Sequence, residues 1–339
     1  MKNKATLSLK PFCYSCPSLR MISLAMICIL ALQVVMLFIT KSYNSLIILL
    51  CSVTASVLSE VLDKILIRKT NPNIVMSIVI GILIGMFFPA LYPPFAAFCT
   101  IFISLVVFKY SFGGISSSWL NPVSITIIIA YSVGSIWFHE SFLSAEMIQS
   151  QNTSLLLIQD GTLPIHRFDS TITAFLNKTI FSHLGTTIPE GYISLLWDNG
   201  SSIPAFRFNL LTLLGSIVLL SLNMINCIVP ICFLFFYSLL VRLFCPVLVG
   251  GSFATGDILL SLLTSGTLFT AFFVLSWFGT VPFTNTGKIL YGLLAGLAAF
   301  FICGYGLSSA GAMFSVFVAN VVSLLLQSVE HHFCKMERG

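Results

Sequence analysis

Ten long apolar runs, separated by short polar segments, make up most of the 339-residue chain. A helix needs about 20 apolar residues to cross the roughly 30 Å hydrocarbon core of a bilayer, where its backbone amides must be hydrogen-bonded internally. The pattern therefore predicts an all-α polytopic membrane protein with about ten transmembrane helices. Because several runs are short, nine or eleven spans remain alternatives. The runs lie at residues 21–40, 45–62, 73–88, 95–109, 122–138, 208–222, 224–241, 256–276, 286–303 and 309–327.

The composition agrees with a lipid environment. Hydrophobic residues make up 57% of the chain and charged residues 8%, with a mean hydropathy of +1.02. Soluble domains carry about 25% charged residues. The sequence contains no Walker loop, dinucleotide fingerprint or nucleophilic triad, which argues against nucleotide hydrolysis, and nothing in it indicates a nucleic-acid partner.

Lysine and arginine residues near the ends of the runs predict the orientation, because cytoplasmic segments of membrane proteins are enriched in them. The N-terminal segment 1–20, the loop after the second run and the C-terminal tail 328–339 are all basic. Both termini are therefore predicted to be cytoplasmic, in a bacterial inner membrane, and the first run is expected to remain as a membrane anchor. The basic residues concerned are Lys2, Lys4, Lys10, Arg20, Lys64, Arg68, Lys69, Lys335 and Arg338.

Residues 139–207 differ from the rest of the chain because they are mostly polar, and they are predicted to lie on the outer face. They separate two transmembrane halves of five helices each, 21–138 and 208–327. An odd number of spans per half places the halves in opposite orientations, which predicts two inverted five-helix repeats. Glycine and serine clusters follow Lys109 and Cys303 in corresponding places. They are either ordinary turns or a pseudo-symmetric pair that lines a central site.

Ionisable residues within the apolar runs are few. Glu60 and Asp63 end the second run, and Asp257 begins the eighth. Because all three lie at span edges, they are expected to be solvated or to anchor the membrane interface, and no path of buried acids is predicted. Cys13 and Cys16 form a C-x-x-C pair, which supplies half of a metal site and would need further ligands from a partner.

Three stretches resemble the family that contains the D subunit of the Rnf electron-transfer complex and the B subunit of the sodium-pumping NADH:quinone oxidoreductase. Residues 112–122 (FGGISSSWLNP) resemble the family's glycine-rich turn, which ends in Asn-Pro. Residues 262–273 (LLTSGTLFTAFF) resemble its Leu-Leu-x-Gly-Gly…Ala-Phe-Phe run. Residues 282–292 (PFTNTGKILYG) resemble its Pro-Thr-Thr-x-x-Gly-Arg…Ile-Tyr-Gly stretch, and Asn320 matches an asparagine of its last span.

The resemblance implies a function. Members of the family are membrane subunits of redox-driven ion pumps, so this chain is expected to pass electrons through bound flavin, coupled to ion transport, together with other subunits of an Rnf-like complex. They carry FMN esterified through its phosphate to a threonine on the outer face. A second, non-covalent flavin among the spans is a further expectation.

The family's attachment motif reads Asp-x-x-Ser/Thr-x-Ala-Thr-x-Leu, and its nearest match here is residues 169–176 (DSTITAFL). Thr173 is the candidate acceptor, as a hydroxyl on a loop accessible from the outer face, with Thr171 and Ser170 as reserve candidates. Aligning Ala174 with the alanine of the motif puts Phe175 at the acceptor position.

Other positions also depart from the family pattern. Polar residues of the family are replaced by Trp277, Ala205 and Ala310. The fold should tolerate these replacements, whereas flavin binding and ion coupling would need other residues. Two alternatives follow. One is an inverted-repeat transporter or channel, similar to urea channels and without a redox cofactor; the other is a subunit that has lost its flavin.

Overall fold

The computed structural model of the chain describes residues 17–67, 73–110, 119–138, 166–185, 187–248, 252–277, 279–305 and 308–336. In these parts of the chain all regular secondary structure is helical. The Cys13/Cys16 pair and most of the glycine-rich turn at 112–122 lie outside the described residues.

The first half forms five helices whose starts follow from local sequence signals. Side chains of Ser18, Asn73 and Asn121 accept hydrogen bonds from backbone amides in the first turns of α1, α3 and α5, as helix N-caps do. The helices are α1 Leu19–Ile39, α2 Tyr43–Ile67, α3 Ile74–Phe87, α4 Pro94–Leu105, which continues as a π-helical turn Val106–Tyr110, and α5 Pro122–Gly134.

The remaining helices divide into short ones before residue 208 and longer ones after it. The short helices are α6 Asp169–Thr179, α7 Tyr192–Trp197 and α8 Pro204–Arg207. They are followed by α9 Asn209–Ser221, α10 Ile228–Leu248, α11 Ile258–Thr264, α12 Thr267–Phe269, α13 Asn285–Ala299 and α14 Gly311–Met336. Two of these continue as π-helical segments, α12 as Thr270–Val274 and α13 as Phe300–Tyr305.

Helical structure occupies each of the ten predicted runs. Among the residues that the structure describes, five helices are long and apolar enough to cross a membrane, and four further apolar helices are shorter. The protein is therefore a multi-pass membrane protein, while the crossing of the membrane by all ten runs stays a prediction. The five long helices are Leu19–Ile39, Tyr43–Ile65, Ile228–Leu248, Asn285–Gly304 and Gly311–His331.

The eighth run, 256–276, is interrupted. Helix α11 ends at Thr264, and Gly266 adopts a φ of 69°. Glycine populates this left-handed region readily because it has no Cβ. A Cβ at Gly266 would also lie 2.1 Å from the ring of Phe206. Both the conformation and the close approach therefore require glycine at the break.

Residues 166–185 and 187–207 form a layer of short helices that packs against α3, α9 and α11. Arg207 makes a two-bond ion pair with Asp198, at 2.8 and 2.6 Å, and its third hydrogen bond goes to Ser42 in the turn between α1 and α2. Bidentate arginine–carboxylate pairs fix geometry as well as charge. The pair therefore fixes the guanidinium within the layer, and the hydrogen bond to Ser42 holds the layer against the end of the first hairpin.

The same layer and the first residue of α9 together satisfy the backbone at the break in the eighth run. The carbonyl oxygen of Leu263 lies in the last turn of α11, where no helical amide follows it. The side-chain amides of Asn199 and Asn209 both donate to this oxygen, at 3.1 and 2.8 Å. Irregular backbone at membrane depth is tolerated only where such partners exist. The break and the layer are thus parts of one unit.

Small residues allow α2 and α3 to approach closely. Ser52 Oγ donates to the Gly81 carbonyl at 2.6 Å, and Ser56 Oγ donates to the Ser77 carbonyl at 2.7 Å. A Cβ at Gly81 would lie 2.7 Å from the Cα of Val53. Backbone contact of this kind, with serine hydroxyls across the interface, is typical of membrane helix pairs.

Hydrogen bonds also join distant elements in the interior. The Asn121 side chain donates to the carbonyl of Val274 at 2.8 Å, linking the start of α5 in the first half to the end of the eighth run in the second. The Tyr291 hydroxyl donates to Asn320 Oδ1 at 2.8 Å, linking α13 to α14. All of these groups are buried, so the bonds are made in a region where unpaired polar groups are costly.

Candidate functional site

Asp169 is the centre of a hydrogen-bond network in the outer layer. Its Oδ1 accepts from the Thr173 hydroxyl at 3.1 Å and from the Gly191 amide at 3.0 Å. Its Oδ2 accepts from the amide and the hydroxyl of Ser194, at 2.7 and 2.6 Å. The carboxylate therefore ties the first turn of α6 to the first turn of α7.

The network also sets the protonation of Asp169. Burial raises the pKa of this carboxyl, but the hydrogen bonds from Ser194, Gly191 and Thr173 outweigh burial and lower the pKa below its ordinary value of 3.8. Hydrogen bonds to the charged form have this effect because they stabilise it. Asp169 is consequently ionised at neutral pH.

Replacing Asp169 by Asn should loosen the joint between α6 and α7. The carboxylate accepts four hydrogen bonds, two on each oxygen. The Asn side chain is neutral and has one acceptor oxygen, so two donors would lose their acceptor and the other two would lose a charged partner. We expect a loss of about 2–4 kcal/mol in the stability of the layer. Faster proteolysis between residues 179 and 191 would report this loss, with the exposed Thr171→Ala variant as a control. Cleavage at the wild-type rate would contradict the assignment.

The lowered pKa of Asp169 makes the stability of the layer depend on pH in a defined direction,. Because the folded-state pKa of Asp169 is depressed, its contribution to stability is complete well above pH 3.8 and is lost as the pH falls through the folded value,. Pepsin digestion across this acidic range should therefore accelerate in the wild type. The Asp169→Asn variant should lack this component of the acceleration.

Thr173, the predicted flavin acceptor, does not lie on an accessible loop. It is in the second turn of α6, its side chain is 3% exposed, and its hydroxyl donates to Asp169. A phosphoester bond needs a side-chain oxygen that a bulky FMN can reach. The Thr173 hydroxyl does not meet this condition in the folded layer, whereas Ser170 and Thr171 are exposed on the same helix.

Three of the positions that depart from the family pattern are buried. Trp277, Ala205 and Ala310 are each 2% exposed. Apolar or aromatic side chains thus pack at three places where the resemblance predicts polar ones, so none of these three can contribute a charged or hydroxyl group to a site. Phe175 is instead 63% exposed on the surface of α6. It takes the acceptor position when Ala174 is aligned with the alanine of the motif.

A second candidate site lies where α2 ends, α3 begins and α4 passes into its π-helical turn. Lys109 Nζ is 3.1 Å from Glu60 Oε2 and 3.0 Å from Ser77 Oγ. Ser77 Oγ donates to Glu60 Oε2 at 2.9 Å, and the backbone N–H of Asn73 donates to Glu60 Oε1 at 3.0 Å. The result is an ion pair with hydrogen bonds on both carboxylate oxygens.

This arrangement corrects the expectation that the acids at the end of the second run are solvated. Glu60 is 7% exposed, Asp63 4% and Lys109 1%. The available signal in the sequence was a lysine directly before a glycine-rich turn, together with an acid near the end of another apolar run. Their pairing follows only from the packing of α2 against α4.

Comparisons with known proteins agree with the resemblance. The model of the NQR2, RnfD, RnfE family matches residues 6–333. A relative from Vibrio cholerae, the D subunit of an ion-translocating oxidoreductase complex, is 25% identical over 300 residues, covering 82% of this chain and 84% of the relative. The D subunit of the proton-translocating ferredoxin:NAD(+) oxidoreductase complex of Clostridium ljungdahlii is 26% identical over 249 residues, covering 70% and 67%.

Proposed function

Because the chain belongs to the NQR2, RnfD, RnfE family, we propose that it is the D-type membrane subunit of an Rnf-type complex that couples electron transfer to ion transport. The family match across nearly the whole chain carries this proposal. The apolar helices place the subunit in a membrane, and the names of its relatives imply further subunits. The cytoplasmic membrane of a bacterium, with both termini on the cytoplasmic side, is the location that the basic segments favour.

We also propose that the two halves are inverted five-helix repeats. In the first half α2 packs against α3 and α4, and in the second half α10 packs against α11 and α13. The fourth member of each half, α4 or α13, ends in a π-helical segment. Repeated packing and a repeated rare helix type support a common five-helix unit.

The flavin proposal concerns the exposed face of α6. FMN supplies electron chemistry when it is bound, and the protein determines its position. Thr171 and Ser170 are the hydroxyls that accessibility favours, and Thr173 is the one nearest to the family motif. Asp169 fixes the helix that carries all three, so its network would hold an attached group in one orientation. A second, non-covalent flavin stays a prediction.

Intact-mass measurement of the chain, produced in a host that has the flavin transferase, tests the flavin proposal. We expect the mass of one FMN ester on the wild type, its loss in Thr171→Ala or Ser170→Ala, and its retention in Thr173→Ala. Loss of the FMN mass in Thr173→Ala alone would identify Thr173 as the acceptor. Helix α6 would then have to open during attachment, because the Thr173 side chain is buried. An unmodified wild-type chain would contradict covalent FMN altogether.

The subunit role is tested separately by purification of the tagged chain from its native membrane. We expect other membrane subunits to copurify and the isolated chain to lack NADH oxidation. The transporter or channel alternative predicts a different result. The chain would then carry no FMN, copurify with no other subunit, and conduct ions or small solutes without redox partners.

A further inference from the structure

Helix α6 exposes apolar side chains and buries polar ones. Phe175 is 63% exposed and Ile172 is 39% exposed, whereas Asp169 is 1% and Thr173 is 3% exposed. A helix that faces water has the opposite arrangement, because its apolar side packs on the protein core. The exposed face of α6 is therefore suited to an apolar environment outside the chain.

Aromatic residues beside the helix enlarge this face. Phe168 directly precedes α6 and is 37% exposed, and the spacing of residues 168, 172 and 175 puts them on one side of the helix. Trp197 of α7 is 40% exposed and packs edge-on against Phe168, with ring centroids 5.9 Å apart. We call Phe168, Ile172, Phe175 and Trp197 the apolar stripe. Contiguous exposed apolar patches of this kind mark sites of interaction with proteins or membranes.

The layer that carries the apolar stripe is attached to the bundle at the depth of the membrane surface. Arg207 of the layer donates to Ser42 in the turn between α1 and α2, at 2.7 Å. On either side of this turn Phe38 is 65% and Tyr43 is 55% exposed, and their rings meet edge to face with centroids 6.5 Å apart. Exposed aromatic rings at the ends of membrane helices are typical of the membrane–water interface. Helix α7 packs against α9 and α11, and α6 packs against α7, which places α6 at the margin of the layer.

The exposed charges around the apolar stripe are basic. Arg167 precedes α6 and Lys178 lies in its last turn, and both are exposed. The acid of this helix, Asp169, is buried and its hydrogen bonds are made within the layer. Among the described residues of the layer, the one exposed acid is Glu190. It precedes Gly191, whose amide contacts Asp169 on the buried side of α6, so its negative charge lies away from the stripe.

The apolar stripe and its basic ends together define the partner. Interfacial amphipathic helices combine an apolar face that enters the headgroup region with lysine and arginine residues that attract anionic lipids. We propose that the apolar stripe lies in the headgroup region of the surrounding bilayer, where Arg167 and Lys178 bind the phosphates of anionic phospholipids. Each basic residue near a membrane surface typically raises the affinity for anionic lipid about fivefold. The two residues therefore make this surface selective for anionic lipid.

Photocrosslinking of the full-length chain in native membranes tests the contact with lipid. The variant Phe175→p-benzoylphenylalanine places a photoreactive ring in the apolar stripe and keeps an aromatic side chain there. We expect illumination to attach phospholipid to this position, identified by the mass of the adduct peptide. The control is Glu190→p-benzoylphenylalanine, which places the same group on an exposed residue away from the stripe and should capture no lipid.

The lipid selectivity is measured with the same photoreactive chain in nanodiscs of phosphatidylcholine that contain a known minor share of phosphatidylglycerol. We expect the ratio of phosphatidylglycerol to phosphatidylcholine among the adducts to exceed the ratio in the disc about fivefold or more. In the double variant Arg167→Gln/Lys178→Gln the ratio should fall to that of the disc. Lys64→Gln removes an exposed charge near the opposite end of α2 and should leave the ratio unchanged.

Three results would overturn the proposal. They are capture of another polypeptide at position 175, absence of any adduct there, and capture of the two lipids by the wild-type charges at the ratio of the disc. The proposal does not rest on the role in an Rnf-type complex. Because the candidate flavin acceptors Ser170 and Thr171 also lie on α6, the intact mass of each sample is recorded. Selective lipid capture by a chain without FMN would support the lipid contact and contradict only the flavin.

Discussion

Neutralising either partner of the Glu60–Lys109 pair alone should destabilise the protein far more than neutralising both. Each single change removes the ion-pair partner of a charge that is buried among α2, α3 and the end of α4, which typically costs about 3–5 kcal/mol. Glu60→Gln and Lys109→Met are the single variants. The double variant removes both desolvation penalties and should unfold close to the wild-type temperature.

Thermal unfolding of the detergent-solubilised variants, followed by size-exclusion chromatography, measures this difference. Lys64→Met is the matched control, because Lys64 is an exposed lysine near the end of α2, and it should unfold like the wild type. A double variant that is no more stable than the worse single variant would show that the two charges do not compensate each other.

The second large effect is expected at the contact of α2 with α3. Gly81→Leu should prevent the two helices from packing, because even a Cβ at Gly81 would lie 2.7 Å from the Cα of Val53 and 3.2 Å from the carbonyl oxygen of Ser52. Backbone atoms cannot rotate away as side chains do. Gly81→Ala should cost about 1–3 kcal/mol, the usual range for overpacking.

A graded series makes this prediction quantitative. At Gly85 the nearest atom to a new Cβ is the Cα of Leu49, at 3.0 Å, so Gly85→Ala should cost less than Gly81→Ala. Val133→Leu enlarges a side chain that is 65% exposed in α5 and should have little effect. Folding and elution of Gly81→Leu like the wild type would contradict the close packing.

Much of the fold could be predicted because the lipid environment restricts the choices. An apolar run in a bilayer must form a helix, so the runs alone located helical structure in all ten places. In the structure, Asn73 and Asn121 fix the starts of α3 and α5 through side-chain oxygens that accept from amides of the first turn,. The same reasoning failed at Gly266, because a break within an apolar run depends on the partners that Asn199 and Asn209 supply from distant sequence.

The candidate sites, like the fold, could be predicted only in part from the sequence. The Asp169–Thr173 pair was visible as a motif, but its interpretation as part of an accessible loop was wrong. Four residues separate the two side chains, and this spacing places them on one face of a helix. Burial of that face depends on Gly191 and Ser194, whose amides and hydroxyl reach Asp169 only after α7 has packed against α6.

By itself, the sequence determined the solvent, the helical content and the family of this protein, because apolar composition, run length and motif order are properties of the linear chain. The tertiary structure decided which polar groups are buried together. Glu60 and Lys109 are 49 residues apart, and their separate positions near span ends indicate solvation. They form a buried pair because α2 and α4 pack side by side and bring the two charges together in the interior.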